Sequence, residues 1–264
     1  MKTAIHFQNT VKKLLGSPVV CIDDLRIYDK ECVAFYGLSE EIAEIITHQI
    51  TGAYSPEEGN VYIYGTNSRE ISEATWFECV GNFGIYSSHI PFRDRSSIGE
   101  NIAVLFRSQN PSIKEPQLSA AVLHLANLVQ LTITDLSYSM GQASSLLKMK
   151  SRLARSLASK PKLVVFYEPT EELSQDVARK FLELIRRTRR KLKYTSLLFT
   201  SDVRFIQQLA DRVLFLNPHS GVLIENQLRG WYHNLLPFLQ PSPAKLLQLA
   251  RDILQHGGIR TTKV

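Results

Sequence analysis

The stretch Val33 to Gly52, VAFYGLSEEIAEIITHQITG, constrains the architecture more than any other part of the chain. An apolar run ends in Val33-Ala34-Phe35-Tyr36, Gly37 breaks it, and a helical stretch runs on to Gly52, so the segment reads as strand, turn and helix. The second half of the chain repeats the alternation. Pro161 ends a helix, and Leu163-Val164-Val165-Phe166-Tyr167 is a continuous apolar run of the kind that a strand buried on both faces requires. A helix from Asp176 to Arg190, a strand Ser196–Thr200, a short helix near Phe205 to Ala210 and a strand Arg212–Leu216 follow. Strands alternating with helices imply a mainly parallel sheet covered on both faces.

A strand, turn and helix is also the setting of a phosphate-binding loop, G-x-x-x-x-G-K-[ST]. Counting from Gly37, Ile42 stands where the second glycine belongs, Ala43 where the lysine belongs and Glu44 where the hydroxyl belongs. Glycines let backbone N–H groups approach phosphate oxygens, and Glu40, Glu41 and Ile42 carry side chains into that space. Ala43 supplies no charge, and Glu44 can ligate a hard cation but has the sign of the phosphates. Like charges about 4 Å apart repel by ~1 kcal/mol in water and ~4 kcal/mol at an effective dielectric of about 20. The sequence therefore predicts no tight Mg-ATP binding in the usual pose.

At 264 residues and 44% apolar, the chain can bury one substantial α/β core. No run of about 20 apolar residues is present, and the N-terminus lacks the apolar centre of a secretory signal, so a cytosolic protein is expected. Cys21, Cys32 and Cys79 are few, odd in number and without metal-ligand spacing; buried thiols and no metal site are expected. The net charge of +6 gathers in stretches such as Arg186 to Lys193. That run is read as a solvated helix end with cations near the C-terminal dipole, in preference to a contact with nucleic acid or anionic lipid.

Residues Ile5 to Tyr36 alternate in pieces such as Val19-Val20-Cys21-Ile22 and Leu25-Arg26-Ile27, which predicts short strands. Val61 to Tyr64 forms another strand between turns at Pro56, Gly59 and Gly65. From about 88 to 158 the pattern is helical and reads as an inserted subdomain, with a strong helix from about Ser144 to Ser159. The main domain spans 1–228; residues 229–264 form an appendage with an amphipathic helix from about Ala244 to Gln255.

The order of these elements and several strings resemble the ATP-binding-cassette ATPase family from Ile5 to about Leu228. Gly37-Leu38-Ser39, Thr51-Gly52, Pro56 to Val61, Glu100-Asn101-Ile102, Leu153 to Ala158, Glu168-Pro169-Thr170 and Ala210 to Val213 carry the resemblance. It implies a P-loop NTPase-like α/β fold: a mainly parallel core, an antiparallel β region and an inserted helical subdomain. Position by position, the family's functional residues are changed. Gly37, Leu38, Ser39, Ala43 and Glu44 occupy its Walker A, and Leu15-Gly16 falls where an adenine-stacking ring is usual. Ser87 matches the Q-loop glutamine, Tyr167 the Walker B aspartate, Ser174 the D-loop aspartate and Ser201 the switch histidine; none of the seven histidines falls at that last position. Glu168 remains where the family's catalytic glutamate stands, and it is read here as shaping the turn with Pro169 and Thr170. Leu136 to Gln142 offers a signature-like string, but an ungapped count places the signature at Ala143 to Leu147, which retains Ser144.

The resemblance implies a transporter subunit on the cytoplasmic face of the inner membrane, peripheral, gripping transmembrane permease subunits and paired with itself or with another cassette. With these changes the expected role is a dimerising scaffold without ATP hydrolysis: no ATP or Mg2+ taken, no metal and no nucleic acid. Two alternatives stand beside it: a working ATPase with a non-standard site drawing on Arg93, Arg95 or Lys148, and a soluble regulatory cassette protein. Lys12 to Gly16, Ser68-Arg69-Glu70 and Phe238-Leu239-Gln240 are similar to ATPase subunits of MCE-type phospholipid transporters, which implies phospholipid transport and an MCE-type lipid-carrying partner.

Overall fold

The computed structural model describes residues 2–14, 17–70, 83–171, 173–216 and 223–227. Its centre is a six-stranded sheet in the order β10-β9-β3-β8-β7-β6, formed by β3 (Cys32–Tyr36), β6 (Phe83–Tyr86), β7 (Leu163–Tyr167), β8 (Thr195–Thr200), β9 (Arg212–Leu216) and β10 (Leu223–Gln227). All neighbours are parallel except β9 and β10, which are antiparallel. A smaller antiparallel sheet, β2-β1-β4-β5, is formed by β1 (Thr3–Leu14), β2 (Ser17–Tyr28), β4 (Glu58–Ile63) and β5 (Thr66–Asn67).

The central strands explain their own sequences. Successive side chains point to opposite faces, and both faces are buried, so β3 and β7 are apolar almost throughout and β8 carries an apolar centre, Leu197-Leu198-Phe199, between buried Thr and Ser residues. One face, carrying Val33, Phe35, Val165, Leu197 and Phe199, closes a core with the small sheet and with Ile46 and Ile50 of α1 (Glu40–Thr51). The other, carrying Ala34, Val164, Phe166 and Leu198, closes a second core with α6 (Gln175–Leu192), α7 (Val203–Leu209) and the helices inserted between β6 and β7.

Those inserted helices are α2 (Ile98–Gln109), α3 (Glu115–Leu128), α4 (Ile133–Ser137) and α5 (Ser145–Leu157). Ser97 and Glu100 form a reciprocal capping box at the start of α2, and Ser144 caps α5 through the Leu147 N–H at 3.3 Å. The turn before α2 is tied back to the segment before α5: Met140 N–H donates to the Ser96 carbonyl at 3.0 Å, and Gly141 N–H to that of Asp94 at 3.0 Å.

One expectation changes. The short strands predicted between Ile5 and Tyr36 are instead two 12-residue strands paired along their whole length. Register shifts between Thr3 and Ile5 and between Lys12 and Lys13 interrupt the alternation, so a continuous hairpin looks fragmented in sequence. Leu15-Gly16, Cys79, Phe238-Leu239-Gln240 and the whole of 229–264 lie outside the described residues. Cys21 and Cys32 are free thiols, and burial pushes that of Cys32 up to about 12. Among the described residues no helix is long and apolar enough to cross a membrane.

Helix α5 approaches β6 so closely that a Cβ on Gly84 would stand 2.0 Å from the Ser156 carbonyl oxygen. Backbone on both sides leaves little to yield, so Gly84→Ala is expected to cost about 2–3 kcal/mol. The measurement is a lower urea midpoint at unchanged slope.

Candidate functional site

The C-terminal ends of β3, β8, β7 and β6 form one edge of the sheet, the place where open parallel sheets bind ligands. Gly37, Ser201, Glu168 and Ser87 follow these four strands directly, so four of the positions singled out in the sequence meet there. Ser144 does not; it lies at the start of α5 in the inserted helices.

After β3, Gly37 turns the chain at φ +67, a conformation that favours glycine. Leu38 packs against the α1 core, and Ser39 caps α1, accepting from Ile42 N–H at 3.5 Å. The three carboxylates of the first turns do not all point free. Glu40 Oε1 meets His89 Nδ1 at 2.5 Å, and Glu41 accepts from the Ser39 hydroxyl at 3.4 Å. Glu44 is exposed, and it is the one of the three with no hydrogen bond or ion pair among the described residues. Glu40 thus has an imidazole partner and Glu41 a hydroxyl donor. Ser87 is buried, and its hydroxyl accepts from His89 N–H at 3.1 Å, fixing the turn that delivers His89 to α1. His89 was not singled out in the sequence; its only local signal is the Ser87-Ser88-His89 turn.

Ala43 is buried and faces the sheet. The Tyr167 hydroxyl, at the end of β7, donates to its carbonyl at 3.3 Å and also makes a short hydrogen bond to the Thr47 hydroxyl. The Tyr167 ring stacks on Phe199 at 5.3 Å between centroids, and Phe199 stacks on Phe35 at 4.7 Å. Tyr167 and Phe199 therefore form an aromatic wedge that joins α1 to the sheet. Burial pushes the Tyr167 phenol up to about 12, with the Thr47 hydrogen bond acting in the other direction.

Glu168 lies next to it with φ 31, a strained backbone for a residue other than glycine. Its carboxylate is held by three groups at the end of β8. Thr200 Oγ1 donates at 2.9 Å, Ser201 N–H at 2.9 Å and Ser201 Oγ at 3.0 Å. Ser201 thus orients Glu168. Thr170 Oγ1 donates to Asp202 Oδ2 at 3.1 Å. Ser174 stands at the start of α6 without a side-chain cap bond.

Arg93 and Arg95 are exposed on the turn before α2, and Lys148 is on the first turn of α5. No hydrogen bond or ion pair joins any of them to α1 or Glu168 among the described residues. The strings that imply phospholipid transport have structural work: Lys12 pairs with Glu57 and Lys13 with Glu58, each at 2.6 Å, and Arg69 donates to the Pro56 carbonyl at 2.5 Å.

A parallel core, an antiparallel sheet beside it and helices inserted between β6 and β7 make this the fold of the ATP-binding-cassette ATPases. A solved dimeric cassette in a post-hydrolysis state bound to ADP and Pi superposes with a TM-score of 0.72 at 19% identity, covering 86% of this chain and 99% of that one. The cbiO1 subunit of the ABC transporter complex cbiONQ from Clostridium perfringens superposes at 0.76 with 15% identity, covering 94% and 100%. In sequence the chain is similar to proteins named as import ATP-binding proteins. It is 29% identical over 202 residues to Methionine import ATP-binding protein MetN 1 of Burkholderia pseudomallei, covering 76% of this chain and 57% of the relative. The corresponding protein of Paraburkholderia xenovorans is 32% identical over 170 residues, covering 64% and 48%. The chain spans about half the length of these curated relatives. No family model matches it.

These relatives correct two expectations. The sequence reading took the chain for a non-enzyme with neither ATP nor Mg2+ as ligand; its sequence relatives are named as ATP-binding import proteins, and a cassette of the same fold holds ADP and Pi.

Removing the Tyr167 hydroxyl tests the joint between α1 and β7. Tyr167→Phe is expected to lower stability by about 1 kcal/mol at neutral pH. The folded phenol titrates above the 10.0 of a free one, so the unfolded chain loses its proton first. The hydroxyl's contribution is complete below pH 10 and is lost as pH rises towards 12. Unfolding free energies at about pH 8 and about pH 11 should show the gap between parent and variant shrinking at the higher value.

Proposed function

We propose that this chain is the nucleotide-binding domain of an ATP-binding-cassette transporter, and that it hydrolyses ATP with a non-standard set of groups. The observation that carries the reading is the convergence of the α1 N-terminus, Glu168 and the Ser87 to His89 turn on one strand edge, in a chain related to import ATP-binding proteins.

The N–H groups of Glu40 and Glu41 have no partners within α1, and they supply phosphate contacts that do not depend on a lysine. The Glu40 carboxylate meets His89 on the neighbouring turn. Lys148 lies on α5 and Arg93 and Arg95 on the turn before α2, and in this reading they serve the phosphates of a second copy; the ADP- and Pi-bound cassette of the same fold is a dimer. A Mg2+ ion, which keeps several waters and phosphate oxygens when bound with ATP, asks the protein for only one or two carboxylates, and Glu44 is the exposed candidate. When bound it neutralises charge on the phosphates. Glu168, with its rotamer fixed by Thr200 and Ser201, is the group that polarises the attacking water.

The partners in this reading are transmembrane permease subunits, with the chain peripheral on the cytoplasmic face of the membrane. Methionine is the cargo in the relatives' names, so an amino acid is the substrate class to test ahead of phospholipid. ATP turnover by the chain co-purified with its permease is expected to fall about 100-fold in Glu168→Gln. Ser201→Ala should give an intermediate loss by freeing the carboxylate. Turnover at blank level in the parent, or turnover unaffected by Glu168→Gln, overturns the reading.

A further inference from the structure

The opposite edge of the sheet carries a second charged feature. Lys30 precedes β3 and Tyr194 precedes β8, so both stand at the N-terminal ends of strands whose other ends form the candidate nucleotide site. Five residues of strand at about 3.3 Å each put roughly 16 Å between the two edges. Lys30, Arg186, Arg189, Arg190, Lys193 and Tyr194 line an open cleft of about 610 Å³ there. Five of these six are cations and none is acidic.

The helix dipole does not account for this gathering. Its partial negative charge acts within the last turn of α6, whereas Arg186 lies two turns from that end and Lys30 belongs to another element. Nor do carboxylates neutralise the group. Arg189 has Asp211 at 3.6 Å and Lys30 has Asp29 at 3.8 Å, but no carboxylate lies within 4.0 Å of Arg186, Arg190 or Lys193 among the described residues.

The guanidinium groups are instead positioned by neutral acceptors. Arg186 donates to the Gln208 carbonyl at 2.9 Å, Arg189 to those of Leu209 at 3.3 Å and Lys30 at 3.1 Å, and Arg190 Nε to that of Arg186 at 3.4 Å. Each of these bonds uses only part of a five-donor fork, so the side chains are oriented while donors remain for a ligand. Arg190 also lines a neighbouring cleft with Lys150, Lys180 and Arg187, where Glu183 is the one acidic residue.

We infer that this cleft is a second anion site, specific for phosphate-bearing ligands with more than one charge. Arginines preorganised in fixed planes match phosphate oxygens in bidentate geometry, and a cleft of several hundred Å³ admits a di- or triphosphate-sized group. The ligand is a free polyphosphate or a phosphate presented by a lipid headgroup; the chemistry recognised is the same. The site does not depend on ATP hydrolysis at the other edge.

The test is calorimetry with inorganic tripolyphosphate, with a vesicle flotation arm using phosphatidic acid in phosphatidylcholine. The variant is Arg190→Gln with Lys193→Asn; asparagine suits the left-handed backbone of Lys193, at φ 56, so the helix end is kept. Tripolyphosphate binding at about 50 mM salt is expected to weaken about 10-fold or more in this variant. The charge-conserving pair Arg190→Lys with Lys193→Arg should retain binding. Flotation that is lost in the same variant, without tripolyphosphate binding, supports the site and assigns the phosphate to a headgroup. Binding equal in the parent and in Arg190→Gln with Lys193→Asn, or binding in neither arm, overturns the inference.

Discussion

The molecule depends on the burial of the parallel strands β3, β7 and β8 on both faces. A strand with no wet face presents polar chemistry only at its ends, and a parallel sheet makes its two ends unlike. One edge gathers the residues that follow the strands, Gly37, Ser87, Glu168 and Ser201; the other gathers those that precede them, Lys30 and Tyr194. The guanidinium groups of Arg189 and Arg212 stand at the second edge, beside the carboxylates of Asp211 and Glu31 that also precede strands there.

Within the first edge the aromatic stack Phe35, Phe199 and Tyr167 sets the distances. It fills the space between β3, β8 and β7 on the α1 side, and the phenol at its end holds α1. Glu168, the next residue, must then turn to the other side of β7, where Thr200 and Ser201 receive it. Tyr167 thus bears on the seat of the helix, and its neighbour Glu168 is held by the end of β8.

The sheet was legible in sequence because its signals are local. Leu163 to Tyr167 and Arg212 to Leu216 are strands over the same residues that the apolar runs mark, and α6 exceeds its expected span by one residue at one end and two at the other. The long hairpin was not legible, since bulges break its period. What the sequence could not display at the site were pairs distant in the chain: Glu40 with His89 across 49 residues, Tyr167 with Thr47 across 120, and Arg189 with Lys30 across 159. The first of them sets a histidine against one of the first-turn carboxylates. The expectation that no nucleotide is taken came from counting residues against a motif, and the ATP-binding names of the sequence relatives overturn it.

The bond from Tyr167 to α1 sets how the molecule can respond to a ligand. A carboxylate in that place would need a cation to join helix and sheet, so the joint would tighten and loosen with occupancy. A neutral hydroxyl bonded to Thr47 and to the Ala43 carbonyl needs nothing from outside. Helix α1 is therefore joined to the sheet by the chain's own neutral groups, through the Ala43 carbonyl and the Thr47 hydroxyl.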